Sequence, residues 1–245
     1  MGSEMPVKIL LLQARRPADP MREHERECFV NRTGVPEDNV VAYNLMERPP
    51  SLSQARRYDA VMIGGSGEFY VSKGNLPFFE QFSELLQELA ETGHPTFGSC
   101  FGYQSLVHAL GGEVTHDPGN TEVGTFALEL ESEARADPLF ADFPGQFNAQ
   151  MGHKDRALRH PEGIPNLARS PRSPLQALRI PGKPIWATQF HPELCHITNK
   201  ARFAHYLDGY APYMSEQERR EALDAFVQSP ETTELLRRFL DLVFA

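Results

Sequence analysis

Two short stretches hold side chains whose types and spacing suit covalent chemistry. GSCFGYQ, residues 98–104, sets Cys100 between two glycines, just after a short apolar run and just before a helical pattern. QFHPE, residues 189–193, sets His191 and Glu193 two positions apart with Pro192 between them. A cysteine attacks as its thiolate and needs an imidazole to take its proton and later protonate a leaving amine. That imidazole needs a carboxylate on its other nitrogen. Pro192 holds His191 in an extended backbone, where residues two apart point to the same side, so His191 and Glu193 can form a relay without help from elsewhere. A cysteine at a turn is otherwise a small buried hydrophobe, and a solitary histidine a hydrogen-bonded core group. The two stretches together favour chemistry.

The surrounding pattern tells which elements carry these residues. Residues 7–14 (VKILLLQA) form a continuous apolar run, the mark of a strand covered on both faces. A polar helical stretch over 20–31 follows, then strands over 39–46 and 59–64, a helix over 77–91 with one apolar stripe, and a strand over 95–99 that delivers the chain into Cys100. A helix is expected over 101–110, and shorter strands over 125–130, 146–151, 174–180 and 184–190. Such alternation predicts an α/β fold with a mostly parallel sheet and helices on both faces. A strand that turns sharply into a helix exposes the residue at the turn above the carboxyl edge of the sheet, where open α/β folds bind ligands. The helix starting at Phe101 aims its free N–H groups and positive dipole end at the sulfur, which favours the thiolate, and the Phe101 N–H can stabilise an oxyanion. The turn GGSGE, residues 64–68, should reach the same edge, where Gly65 can offer a second oxyanion donor. It reads equally as an ordinary strand-to-helix loop.

These motifs resemble those of the class I (triad) glutamine amidotransferases. GSCFGYQ and QFHPE, each closing a strand, are similar to that family's Gly-x-Cys-x-Gly-x-Gln and His-Pro-Glu motifs. EVG at 122–124 stands where the family often has Glu-x-Gly, and MGHKD at 151–155 where it usually has Ser or Asn, His, any residue, Asp. The resemblance covers residues 7–205 and implies the flavodoxin-like amidotransferase fold. It implies Cys100 as nucleophile, His191 as general base and acid, and Glu193 as orienter. The implied reaction is attack on the side-chain amide of glutamine, loss of ammonia, and hydrolysis of a γ-glutamyl thioester to glutamate. Gln104, one helical turn after Cys100, is expected to contact substrate or to pin the loop; Gly64 in the glycine turn is a second substrate-binding candidate. His153 faces the pocket or caps a turn beside Asp155. Gly152 departs from the family pattern and weakens the carry-over in that strand.

Residues 1–209 are expected to be the amidotransferase domain and residues 210–245 a C-terminal helical extension. Within the extension, Ser215 and Glu218 form a capping-box pattern and Ser229 with Pro230 begins the last helix. That helix carries Leu235, Leu236, Phe239, Leu240 and Val243 on one stripe, which either packs on its own domain or docks a synthase or a second copy.

A net charge of −9 argues against tracking a nucleic-acid backbone. The apolar runs are too short for a membrane span, and the start lacks a secretory pattern. Three scattered cysteines fit a reducing compartment, so a cytoplasmic protein is expected. No zinc or phosphate-loop spacing occurs among the nine histidines and the glycine turns, so neither metal nor cofactor is expected. His24 and Cys28, in a charged helical stretch, read as a solvated face. The expected partners are glutamine or another γ-glutamyl substrate and a separate ammonia-accepting synthase subunit, with a homodimer left open. The alternatives are a stand-alone hydrolase of γ-glutamyl peptides, similar to the γ-glutamyl peptidases, and a silent regulatory protein of the same fold. Within the family, the chain resembles the amidotransferase domain of GMP synthetases.

Overall fold

A computed structural model of the chain describes residues 7–210 and 215–244, apart from the side chains of Tyr210 and Glu218. The expected Ser215–Glu218 pair therefore lies outside the described residues.

Residues 9–14 alternate between two cores. Ile9 and Leu11 enter one hydrophobic cluster with Phe29, Phe97, Trp186 and Phe239, while Leu10 and Leu12 enter the other with Ile63, Phe82, Leu86 and Leu106. That division explains why this strand is apolar at every position: both of its faces are covered. The strands are β1 (Ile9–Ala14), β2 (Val40–Asn44), β3 (Ala60–Ser66), β4 (Thr96–Ser99), β5 (Glu113–His116), β6 (Glu122–Leu130), β7 (Gln146–His153), β8 (Asp155–Arg159), β9 (Asn166–Arg169), β10 (Ala177–Arg179) and β11 (Ile185–Thr188). Nine of them form one sheet in the order β2-β1-β3-β4-β11-β10-β9-β6-β7, and β5 pairs with β8 apart from it. Pairing is parallel from β2 to β11 and antiparallel beyond.

The helices are α1 (Met21–Thr33), α2 (Leu52–Ala55), α3 (Phe79–Thr92), α4 (Phe101–Ala109), α5 (His196–His205), α6 (Leu207–Tyr210), α7 (Glu216–Asp224), α8 (Pro230–Thr233) and α9 (Leu235–Phe244). α3 and α4 cover one face of the sheet, and α1 and α9 the other. α3 buries Phe82, Leu85, Leu86 and Leu89. Phe78, inside the 77–91 span expected to be helical, lies outside the helix as its left-handed cap and is exposed.

The stripe of α9 packs on its own domain. Phe239 meets Phe97 and Trp186 edge-on, with ring centroids 5.5 and 5.8 Å away. Aromatic contacts of this kind add about 0.5–1.5 kcal/mol to the burial itself. Ser229 precedes α8 without capping it; its hydroxyl accepts instead from Gln150 Nε2 at 3.1 Å. The face of α1 that reads as solvated is largely internal, because Glu25, Cys28 and Phe29 are buried. Among the described residues no helix is long and apolar enough to cross a membrane.

Candidate active site

β4 and β11 are parallel neighbours in register, Ser99 opposite Thr188, so the GSCFGYQ turn and the QFHPE segment leave the same edge of the sheet side by side. The Cys100 N–H donates to Thr188 O at 2.8 Å, tying the turn to the next strand. Cys100 has φ 50° and ψ −95°, and among the described non-glycine residues only Phe78 shares a positive φ. Such a backbone costs about 1–3 kcal/mol and persists when its surroundings enforce it. Here they do. A Cβ at Gly98 would stand 2.8 Å from the Gly102 carbonyl carbon, and a Cβ at Gly102 would stand 2.8 Å from the Ile63 backbone oxygen. Both glycines are required by strand, turn and helix crossing at one place.

His191 Nδ1 donates to Glu193 Oε1 at 2.7 Å, the same-side pairing that two-residue spacing predicts. Glu193 Oε1 also accepts from Arg202 Nη1 at 3.0 Å, and Oε2 accepts from Ser99 Oγ at 2.7 Å. Burial alone would lower the His191 imidazole, but the charges of Glu193 and Cys100 and hydrogen bonds to both carry it up to about 9. Burial works against the Glu193 carboxylate as well, and His191, Arg202 and Ser99 outweigh it and hold the group well below the usual carboxylate range. A second polar side chain reaches the sulfur, since Gln189 Nε2 stands 3.7 Å from Cys100 Sγ.

A cavity of about 430 Å³ opens over Cys100, with Phe101 and Gln104 on one side, His153 and Asp155 on another, and Ser66 and Gly67 on a third. Its volume is in the range of small-molecule sites. The Phe101 N–H, first in α4, has no acceptor within the helix and faces the strand-to-helix turn. Gln104 Nε2 donates to Asp155 O at 2.8 Å and to Gln189 Oε1 at 3.1 Å. His153 lines the cavity while both ring nitrogens are engaged within the protein, with Asp155 O and Glu122 Oε2, each at 3.0 Å.

The glycine turn arrives at this edge but is held from behind. Gly65 N–H donates to Glu25 Oε1 at 3.1 Å, and a Cβ on Gly64 would lie 2.6 Å from the Glu25 carboxylate. Glu25 in turn accepts from Arg15 at 2.9 Å and from Gln13 at 3.1 Å. Arg15 donates to the Tyr206 hydroxyl at 2.5 Å, and that hydroxyl sits against Gly67, where a Cβ would be 2.6 Å from it. Ser99, Gln189, Arg202, Glu25 and Tyr206 are the site residues that sequence reasoning missed. The N-terminal charged stretch held one signal: Glu25 stands on the same helical face as Phe29, an apolar residue four positions on.

A thiol at a strand-to-helix elbow thus stands beside a His–Glu pair in the segment that follows the adjacent parallel strand of an α/β fold. Residues 37–205 match the family described as glutamine amidotransferase class-I, and the chain belongs to that family. It is 30% identical over 167 residues to the glutamine-hydrolyzing GMP synthase of Thermosipho melanesiensis, a match covering 68% of this chain and 29% of that one. It is 38% identical over 102 residues to a protein of Methanocaldococcus jannaschii that is one subunit of a glutamine-hydrolyzing GMP synthase, covering 42% of this chain and 52% of that one. The chain thus spans only part of the length of these relatives. A glutamine amidotransferase from Thermotoga maritima shares the fold, with TM-score 0.72 and 22% identity over 98% of this chain and 99% of its own. The fold is therefore the flavodoxin-like class I amidotransferase fold with a C-terminal helical extension.

Proposed function

We propose that the chain hydrolyses the side-chain amide of glutamine to glutamate and ammonia, with Cys100 as nucleophile, His191 as general acid and base, and Glu193 as orienter of the imidazole. The observation that carries this reading is the hydrogen-bonded His191–Glu193 pair beside a thiol held at a left-handed elbow. The Cys100 thiolate attacks the amide carbon, and the oxyanion that forms meets the Phe101 N–H. His191 gives its proton to the amide nitrogen, the C–N bond breaks, and ammonia leaves behind a γ-glutamyl thioester. The neutral imidazole then takes a proton from water, the hydroxide adds to the thioester carbon, and the C–S bond breaks to release glutamate and restore the thiolate–imidazolium pair.

Gly65 joins as a second oxyanion donor once its N–H leaves Glu25. Gln104 and His153 bound the substrate side as cavity walls rather than as free donors, while Gly64 is packed against the Glu25 carboxylate, behind the cavity wall. A separate synthase subunit is the proposed ammonia acceptor, in keeping with the Methanocaldococcus relative, whose enzyme is divided between chains. The free thiol suits a reducing compartment, the cytoplasm. A second reading, hydrolysis of a longer γ-glutamyl compound, is favoured by the extension of the cavity past Cys100 toward Arg16, Glu68 and Asp208.

Ammonia release from glutamine by the full chain, beside γ-glutamyl dipeptides and a Cys100→Ala variant, tests both readings. Release from glutamine that vanishes in the variant supports the first. Preference for dipeptides moves the assignment to the second. No release from either substrate refutes hydrolysis by the isolated chain.

A further inference from the structure

Glu193 is buried, yet it binds partners from three elements: His191 of its own segment, Ser99 at the end of β4, and Arg202 on α5. Two donors, the imidazole at 2.7 Å and the guanidinium at 3.0 Å, share the single oxygen Oε1. Arg202 is itself buried, and its Nε and Nη2 have no hydrogen-bond partner among the described residues. The charge of this arginine is thus spent on Glu193.

A carboxylate left in a dry interior without a cation is costly. Were His191 its sole cationic partner, each deprotonation of the ring would strand Glu193, and the ring would keep its proton. Turnover in the proposed reaction requires the proton to leave for the amide nitrogen and the neutral ring to persist until water is activated. An arginine, which stays charged throughout, keeps the carboxylate paired in both states of the ring. Ser99, bonded to the other oxygen, fixes the carboxylate plane.

We propose that Arg202 is a positioning residue of this site: by sharing Glu193 Oε1 with His191 it holds the carboxylate in place and lowers the cost of a neutral imidazole. The inference rests on reading His191 as the acid and base.

The other groups around the pair do not substitute for it. Arg15, just past the end of β1, is engaged with Glu25 and Tyr206. His24 on α1, pulled down to about 4 by burial and by the charges of Arg202 and Arg15, is neutral at pH 7. Cys28 on α1, pushed up to about 11 by burial, is a neutral thiol. Burial likewise keeps the Tyr206 hydroxyl protonated. Cys100 faces the opposite side of the ring and adds a negative charge, which favours the protonated form.

The test follows the His191 ring signal by NMR through a pH titration of the substrate-free full chain, in the wild type and in Arg202→Met, Arg202→Gln and Arg202→Lys. Gln keeps a hydrogen bond to Glu193 without the charge, and Lys keeps the charge without the fork. The titration is expected to move upward in the Met and Gln variants and to return toward the wild-type position in Lys. Ammonia release should fall in Met and Gln by about tenfold, the equivalent of one pH unit in the ring equilibrium, as a loss in kcat with KM nearly unchanged. The γ-glutamyl thioester should accumulate on Cys100 in quenched samples read by intact mass. A merely structural role would leave the Gln titration where the wild type has it, and that result overturns the proposal whatever the activity. If Met fails to fold, Gln decides alone. Absence of ammonia release from the wild type would instead strike at the functional reading, which the substrate-free titration does not depend on.

Discussion

His191 makes the stability of the fold depend on pH in a way that can be calculated. The ring is carried up to about 9 in the folded chain, against burial, by the charges of Glu193 and Cys100 and by hydrogen bonds to both. In the unfolded chain it titrates at about 6.5. A group whose folded value is raised contributes its stabilisation in full below the unfolded value and loses it as pH rises through the folded one. Each tenfold displacement of a proton equilibrium is worth about 1.4 kcal/mol, so this ring contributes about 3 kcal/mol at pH 6 that is gone by pH 10. That is a sizeable part of the roughly 5–15 kcal/mol that holds a domain together. Urea unfolding of the wild type and of His191→Gln, extrapolated to water at closely spaced pH values, reads the effect. Subtracting the two curves removes the titration of the groups that do not interact with the ring. The difference is expected to shrink by about 3 kcal/mol between the unfolded and folded values of the ring, and parallel curves would refute the assignment of a buried, charge-paired imidazolium.

Two further outcomes follow from the same geometry. With iodoacetamide near neutral pH, Cys28 should resist labelling because burial pushes its thiol up to about 11, whereas Cys195 should react: burial opposes its ionisation, but hydrogen bonds from Thr198 and Ile197 draw the thiol down. Cys100 should react as well, and alone be protected by glutamine; peptide mapping that finds Cys28 labelled as fast as Cys100 would contradict the burial and elbow arguments. Gly102→Ala should cost about 1–3 kcal/mol by overpacking and abolish ammonia release, since the added methyl would meet Ile63 at 2.8 Å; Gly119→Ala, whose nearest neighbour is 3.7 Å away, is the control expected to leave thermal unfolding unchanged.

The residues that spacing ties together were legible before the structure. The continuous apolar run of residues 7–14 predicted two-sided burial of the first strand, and the alternation of strands and helices predicted the α/β sheet. The two-residue interval between His191 and Glu193 predicted their contact, because extended backbone puts such residues on one side. What could not be read is the set of contacts made across the fold. Arg202 belongs to a helix whose own periodicity marks it as one polar residue among several, and nothing local says that it turns inward to Glu193. Glu25 sits in a charged helix and looks solvated until Arg15, Gln13 and Gly65 surround it. The capture of the Gly65 N–H by that carboxylate is likewise long-range, so the glycine turn revealed its position at the sheet edge but not the state of its donor. Short strands such as β5, β8 and β9 escaped because four or five residues are too few to show a period.

The parallel pairing of β4 with β11 has a consequence for how this protein can vary. Cys100 and His191, the proposed nucleophile and base, leave the ends of adjacent strands, so their separation is tied to the spacing between strands, roughly 4.8 Å, whatever the path of the chain from one to the other. The intervening polypeptide can lengthen, shorten or exchange its surface loops while the reacting atoms stay where they are. Within that long excursion, the turn tips that carry no cavity wall, such as those around Gly163 and Gly182, are natural places to graft a new segment. Chemistry and ornament are thus separable in this chain: the two strands keep one constant, and the loops are free to diversify the other.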